Sequence, residues 1–339
     1  MDGEGRVADE AGLRRRVFHS GCDPRVRREV WKVLLDCWPP NLTQPEREDL
    51  GERRAEEYHR IKRQWTVPPT PHPPATGVPT EHARGVGGGG QTISDAQASR
   101  FSLFRERASR VDKDVVRTDR TQPFFEGEDN GGVEVLRSIL ITYSLYNFDL
   151  GYCQGMSDLL APILVVMGEE VEAFWAFAAL MERMAPNFDL DQNGMHSQLM
   201  ALRKLVQLLD PPLFDYLHSV ECLNFFFCFR WVLIHFKREF AYEDVMRLWE
   251  VLWSRHLSDH FHLYVCAAIL KRHRRKIMDE QMEFDSLLKF TNDLSGRIDL
   301  EATLRDAEAL CVYAGAAGVA CMPQPPTAAE EGCASPLPH

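Results

Sequence analysis

From Phe101 onward, apolar residues recur at spacings of three and four along this 339-residue chain, a period that gathers them on one face of an α-helix and scatters them on a strand. Val133, Leu136, Leu140 and Tyr143 make one such face, and Met156, Leu159, Leu160, Ile163, Leu164 and Met167 a second. Met195, Leu199, Leu202, Leu205, Val206 and Leu209 make a third, and Val245, Leu248, Trp249 and Leu252 a fourth. The stretch Phe225 to Phe236 (FFFCFRWVLIHF) is apolar almost all round, which predicts a helix buried in the middle of a bundle. It is too short to span a membrane and it carries Arg230, whose burial predicts a carboxylate partner elsewhere in the bundle. Strand-like alternation between tight hairpin turns is nearly absent, and no repeat of about 20 to 50 residues is found. The expected fold class is all-α, and not a regular solenoid.

Charge narrows the partner. Lys and Arg number 39 against 50 Asp and Glu, a formal charge of −11, the wrong sign for a protein whose affinity rests on neutralising nucleic-acid phosphates. The basic run Lys271 to Lys276 (KRHRRK) lies inside a helical stretch and reads as a solvated face. Nine cysteines are scattered with no Cys-x-x-Cys pair, which predicts reduced thiols and neither a disulfide framework nor a zinc module. The N-terminus has no apolar signal-peptide core, and no run reaches the ~18 apolar residues of a membrane span. The chain is expected in the cytosol, with no integral membrane segment.

Residues 1–14 are small, acidic and Gly-rich, and residues 316–339 are rich in Pro and Ala; both ends are expected to be unfolded. A third break, over residues 67–100, is dominated by Pro and Gly and sustains neither helix nor central strand. The folded domain is therefore expected over 15–315, with 67–100 a disordered insertion. Gly85 to Gly90 (GVGGGG) matches a dinucleotide-binding glycine pattern only formally, because no strand precedes it. No Gly-x-x-x-x-Gly-Lys-Ser/Thr loop occurs, so the chain lacks the usual cradle for a nucleoside triphosphate.

Two polar clusters interrupt the helical pattern: Val111-Asp-Lys-Asp114-Val-Val-Arg117-Thr-Asp-Arg-Thr121, and Leu150-Gly-Tyr152-Cys-Gln154-Gly155-Met-Ser-Asp158. An apolar residue, Asp and Arg in VxxDxxR, with Tyr-x-Gln-Gly beginning 35 residues after the Arg, resembles the paired signature of the TBC domain, the Rab GTPase-activating family. The resemblance begins near Gly21 to Leu35 (GCDPRVRREVWKVLL), skips the Pro/Gly insertion and continues to about Ala314. The stretches RTDRT, FDLGYCQGMSDLL, FCFRWVLIHFKREF and RLWEVLW are similar to those of the animal members numbered fifteen and seventeen and of their fungal relatives. Cys153 stands where those relatives have valine, and the long N-terminal extension they carry is not in this sequence.

The resemblance implies a helical domain that stimulates GTP hydrolysis by a Rab-family small GTPase in its GTP-bound state. The Rab would bring GTP and Mg²⁺, so the chain would need no cofactor of its own and would have no intrinsic GTPase activity. Recruitment to endomembranes would follow from the Rab. Phosphoryl transfer spreads charge over the transferred group and the leaving oxygen, so catalysis is chiefly positioning and charge stabilisation. Arg117 would supply a permanent planar cation. Gln154 can accept from the attacking water and donate toward phosphate, and the resemblance implies that it acts in place of the GTPase's own glutamine.

Asp114, three residues before Arg117, is placed to hold it by a local ion pair, and Gly155 permits close approach of another backbone. Asp114, Tyr152 and Asp158 are read either as supports of the two loops or as direct contacts of the partner. His256, His260 and His262 (RHLSDHFHL) do not make a His-Glu-x-x-His motif and suggest a helix-connecting loop rather than a metal site. Phe225 to Phe229, Trp249 and Trp253 read as core packing. Two other readings stand beside the catalytic one: a Rab-binding scaffold without activity, and a helical adaptor whose proline-rich loop docks an SH3- or WW-like module.

Overall fold

The computed structural model describes residues 2–66 and 89–323. Among them are fourteen α-helices and no strand. In chain order they are α1 (Glu10–Ser20), α2 (Pro24–Leu34), α3 (Gln44–Thr66), α4 (Gly89–Val115), α5 (Gly131–Tyr146), α6 (Met156–Met167) and α7 (Glu170–Met184). There follow α8 (Asn193–Leu209), α9 (Pro211–Ser219), α10 (Phe229–Leu233), α11 (Tyr242–Ser254), α12 (Phe261–Asp279), α13 (Phe284–Asp293) and α14 (Leu300–Cys321). The chain divides into two compact units, one built from Asp23–Ala185 with the first ten residues, the other from Ala11–Cys22 and the chain from Pro186 onward.

In the first unit α6 is the central helix. Every residue from Met156 to Leu164 is buried, and α2, α4, α5 and α7 pack around it. The fully buried Leu159, Leu160, Ile163 and Leu164 each contribute about 1.5–3 kcal/mol of apolar burial. α3 closes on α5 and α7, where Tyr58 stacks on Phe174 at 4.9 Å between ring centroids and donates its hydroxyl proton to Glu170. The start of α2 follows from local chemistry: the Asp23 side chain accepts from the Arg25 amide and Pro24 fills the first helical position, where no amide donor is missed.

In the second unit the corresponding helix is α12, buried at each position from Phe261 to Leu270 and flanked by α8 and α14. The stripe predicted for α8 is inward at all six positions, Met195, Leu199, Leu202, Leu205, Val206 and Leu209. Asp299 caps α14 by accepting from the Ala302 amide at 2.9 Å.

The all-α expectation and the four apolar faces agree with this architecture, but several boundaries differ. The N-terminal segment expected to be unfolded over 1–14 is already helical from Glu10, because Val17 and Phe18 give α1 buried side chains. Of the insertion expected over 67–100, residues 67–88 lie outside the described residues; from Gly89 the chain is helical, since nothing between Gln91 and Val115 breaks a helix. The tail expected to begin at 316 continues as helix to Cys321 beyond a break at Gly315 (φ 49°); Gly318 there packs so close to Tyr264 that a Cβ would come within 2.4 Å of its hydroxyl. The rest of that tail, 324–339, lies outside the described residues.

The predicted buried helix over Phe225–Phe236 is also corrected. It is a 3₁₀ turn, Phe226–Cys228, followed by the five-residue α10, with Phe225, His235 and Phe236 in left-handed conformation. A run that is apolar on all sides has no period to read, so buried turns and a buried helix look alike in sequence. Arg230 does find its carboxylate, donating from Nε and Nη2 to Glu239 at 2.7 and 2.8 Å. The run Lys271–Lys276 lies on α12 with four of its six residues exposed and the other two half-buried. His256 and His260 lie in the connection between α11 and α12, whereas His262 is a buried residue of α12 bonded to Gln198 at 2.6 Å.

Candidate functional site

The site lies wholly in the first unit, where the C-terminal end of α4 meets the loop between α5 and α6. Val111, Asp114, Val115 and Thr118 are buried there, while Arg110, Lys113 and Arg117 are exposed. These two sets sit at helical spacings on adjoining faces of one turn, so Asp114 is buried while Arg117, three residues on, lies beside it at the exposed edge. α4 ends at Val115, and Arg117 and Thr118 continue it as a turn, their amides donating to the Asp114 and Val115 carbonyls at 3.2 and 3.3 Å.

The predicted local ion pair is formed. Arg117 donates from Nη2 and Nε to Asp114 Oδ1 at 2.5 and 3.1 Å. The Arg117 side chain is nevertheless 55% exposed against 9% for Asp114, so the carboxylate is the fixed member and the guanidinium the available one. Of the five guanidinium N–H groups two are used, leaving three for another acceptor. The second Asp114 oxygen accepts from the Tyr152 hydroxyl at 2.6 Å. Burial, and then this bond to a carboxylate, push the Tyr152 hydroxyl far above its ordinary value, so it remains a donor. Asp114 and Tyr152 thereby tie the two clusters together.

Gln154 is exposed on a non-helical segment, and among the described residues its amide has no hydrogen-bond partner. Gly155 follows at φ 103° as the N-cap of α6, a conformation that glycine adopts without the steric cost a Cβ would bring. Gly155 therefore acts through its own backbone turn. Asp158 is buried in the first turn of α6, where the positive end of the helix dipole favours a carboxylate. A second tie crosses between the clusters: the Thr118 hydroxyl donates to the Asp114 carbonyl at 2.7 Å and shares a 3.0 Å hydrogen bond with Ser157. Sequence reading passed over Thr118 and Ser157. Both stand inside the quoted motifs, at positions on the inward stripes of α4 and α6, which is the signal that could have found them.

Arg117 and Gln154 line one open cavity of about 460 Å³ together with Arg110, Lys113 and Asp114. Arg110 is paired with Glu106 at 2.5 Å. The cavity therefore offers an exposed guanidinium, a second and third cation, and a neutral amide, a set suited to a polyanion with an adjacent hydroxylic group.

Residues 93–278 match the family described as the Rab-GTPase-TBC domain. The chain is 41% identical over 307 residues to TBC1 domain family member 17 of Homo sapiens, covering 91% of this chain and 44% of that protein. It is 39% identical over 321 residues to the GTPase-activating protein GYP7 of Yarrowia lipolytica, covering 88% and 40%. The crystal structure of the Ypt/Rab-GAP domain of Gyp1p superposes with a TM-score of 0.71 at 20% identity, over 92% of this chain and 94% of that one, a likeness of fold. The chain spans less than half the length of the curated relatives it matches.

Proposed function

The chain belongs to the Rab-GTPase-TBC domain family, and on that premise we propose that it accelerates GTP hydrolysis by a Rab-type small GTPase in the GTP-bound state, inserting Arg117 and Gln154 into the partner's nucleotide site. The observation that carries this reading is that an exposed arginine and an exposed glutamine, 37 residues apart in sequence, line a single cavity.

Each side chain has a definite task in this scheme. The partner brings GTP and Mg²⁺. Arg117, held from behind by Asp114, donates its remaining N–H groups to the phosphate oxygens as negative charge moves toward the leaving group. Gln154 accepts a hydrogen bond from the attacking water through its side-chain oxygen and donates from its amide nitrogen toward the phosphate. Neither group needs to change protonation state, so the contribution is positioning and electrostatic stabilisation. Because Asp114 is buried and its oxygens are already engaged, it orients the cation without drawing it into the protein.

The test is single-turnover GTP hydrolysis by a panel of purified, GTP-loaded Rab proteins, with the intact chain beside Arg117→Ala and Gln154→Ala. Stimulation that Arg117→Ala reduces about a thousandfold or more, and that Gln154→Ala lowers steeply to a residual, still measurable rate, is the expected result. A folded chain that stimulates no member of a complete panel overturns the catalytic reading.

A further inference from the structure

Gln154 has no side-chain partner to hold it, so its place depends on the backbone that carries it, residues 147–155 between α5 and α6. That segment is fixed at its start by the Asn147 amide bonding the Tyr143 carbonyl at 2.9 Å and near its end by Tyr152 on Asp114. Its middle is bonded within itself, the Gly151 amide to the Asn147 carbonyl at 2.8 Å and the Leu150 amide to Asn147 Oδ1 at 3.3 Å, and α4 lays two arginines on it, Arg100 at 4.4 Å from the Phe148 ring centroid and Arg107. Arg107 is buried and donates from Nη1 to the Phe148 carbonyl at 2.5 Å and from Nη2 to the Asp149 carbonyl at 3.4 Å. Its guanidinium carbon lies 4.9 Å from the Phe148 ring centroid. Gly151, at φ 66°, faces it so closely that a Cβ there would be 2.2 Å from that carbon and 2.3 Å from Nε.

We infer that Arg107 is a positioning residue for Gln154: a guanidinium laid flat against Gly151 and bonded to two carbonyls locks the loop in the shape that delivers the glutamine. The inference rests on the proposed function for its kinetic consequence, while the clamp itself is a property of this chain alone. Arg107 continues the inward stripe of α4, followed by Val111, Asp114, Val115 and Thr118 at positions four, seven, eight and eleven further on. One helix face therefore holds both clusters, Asp114 seating Arg117 and Arg107 seating the loop of Gln154. A lysine cannot reproduce this, since an ammonium has neither the planar fork for two carbonyls nor the flat face that Gly151 admits. An arginine bonded to main-chain carbonyls also fixes backbone whatever the loop side chains are, which suits a segment whose functional side chain must project into solvent.

The experiment compares Arg107→Met and Arg107→Lys with the intact chain in two readouts. In single-turnover hydrolysis with a Rab that the intact chain stimulates, Arg107→Met should lower kcat about 10- to 100-fold, the scale of an ångström-sized misplacement, with KM changed less than about threefold. Introduced into Gln154→Ala, Arg107→Met should cost less than about twofold more, because the group it positions is gone. A kcat loss that multiplies undiminished in the Gln154→Ala background, or an unchanged kcat, overturns the inference. In hydrogen exchange, which needs no partner, Arg107→Lys should speed the Gly151 amide about tenfold or more while amides of α6 stay as they are. An unchanged Gly151 amide overturns the clamp even when no Rab responds, so failure of the functional reading and failure of this one are told apart. If Arg107→Met does not fold, Arg107→Lys carries both readouts.

Discussion

Asp114 accepts the Tyr152 hydroxyl at 2.6 Å across 38 residues of sequence, with the oxygen that is not engaged by Arg117. One buried carboxylate thus sets the cation and anchors the loop of the glutamine. The two motifs are coupled through a shared side chain rather than by proximity alone, and changes to Asp114 should be felt at both.

Asp114→Asn keeps the volume but replaces one acceptor oxygen by an amide donor, so Arg117 and Tyr152 can no longer each donate to its own oxygen of the side chain. GTPase stimulation should fall about 10- to 100-fold, through misplacement of Arg117, in a chain whose circular dichroism is unchanged. Single-turnover kinetics checks this, and a loss under about twofold would mean that Arg117 finds its place without the carboxylate.

Tyr152→Phe leaves a buried carboxylate oxygen without its donor, which costs about 1–3 kcal/mol. Denaturant unfolding should show that loss. Tyr152 does not touch the cavity, so a stability change without any kinetic change would restrict the bond to the fold, and a kinetic change is the expected companion.

Gly155→Ala places a Cβ on a residue at φ 103°, costing about 1–2 kcal/mol and shifting the residue before it, Gln154. Stimulation should fall with stability. Full activity in the alanine variant would show that the loop tolerates a different turn.

In the second unit, Glu239 is completely buried against Arg230. Arg230→Met should destabilise by about 3 kcal/mol, because an uncompensated charge is left inside, whereas Arg230→Met combined with Glu239→Met should recover most of that loss. Thermal unfolding of the two variants side by side decides it; equal losses would assign the effect to packing.

His262 supplies a pH dependence. Burial, with His235 and His260 nearby, holds it well below its ordinary value of 6.5, and its Nε2 shares a 2.6 Å hydrogen bond with Gln198 Oε1. His235, stacked on it at 4.9 Å, is pushed down by burial, and then by His260, to about 4. Both folded values lie below the unfolded one, so their contribution to stability is complete above pH 6.5 and is lost as pH falls from 6.5 toward 4. The thermal midpoint should drop across that window, and the His262 ring protons should keep their neutral NMR shift well below the ordinary value of 6.5. A His262 ring that titrates near its ordinary value would contradict the assignment.

Much of this protein was legible in its sequence. Spacings of three and four placed the inward faces of α5, α6, α8 and α11, since a 3.6-residue period is a local property of the chain. The pair VxxDxxR and Tyr-x-Gln-Gly named Arg117, Gln154 and the local partner Asp114, which lies one helical turn from Arg117. Three other matters needed the folded chain. The run Phe225–Phe236 carries no polar face, so nothing in it distinguishes turns from helix, and the left-handed residues were found only in the structure. The extent of α1 and α14 exceeded what composition suggested, because burial of Val17, Phe18 and Gly318 comes from neighbours distant in sequence.

The bonds that seat Arg117 and the loop of Gln154 were decided by tertiary structure alone. Tyr152 to Asp114, Thr118 to Ser157 and Arg107 to the Phe148 carbonyl each join residues about 40 positions apart. Periodicity and motif spacing report what one element does with its own neighbours, and they fixed the helices and the identity of the exposed pair. Which buried donor meets which acceptor depends on how α4 lies against the start of α6, and that relation exists only once the chain has packed.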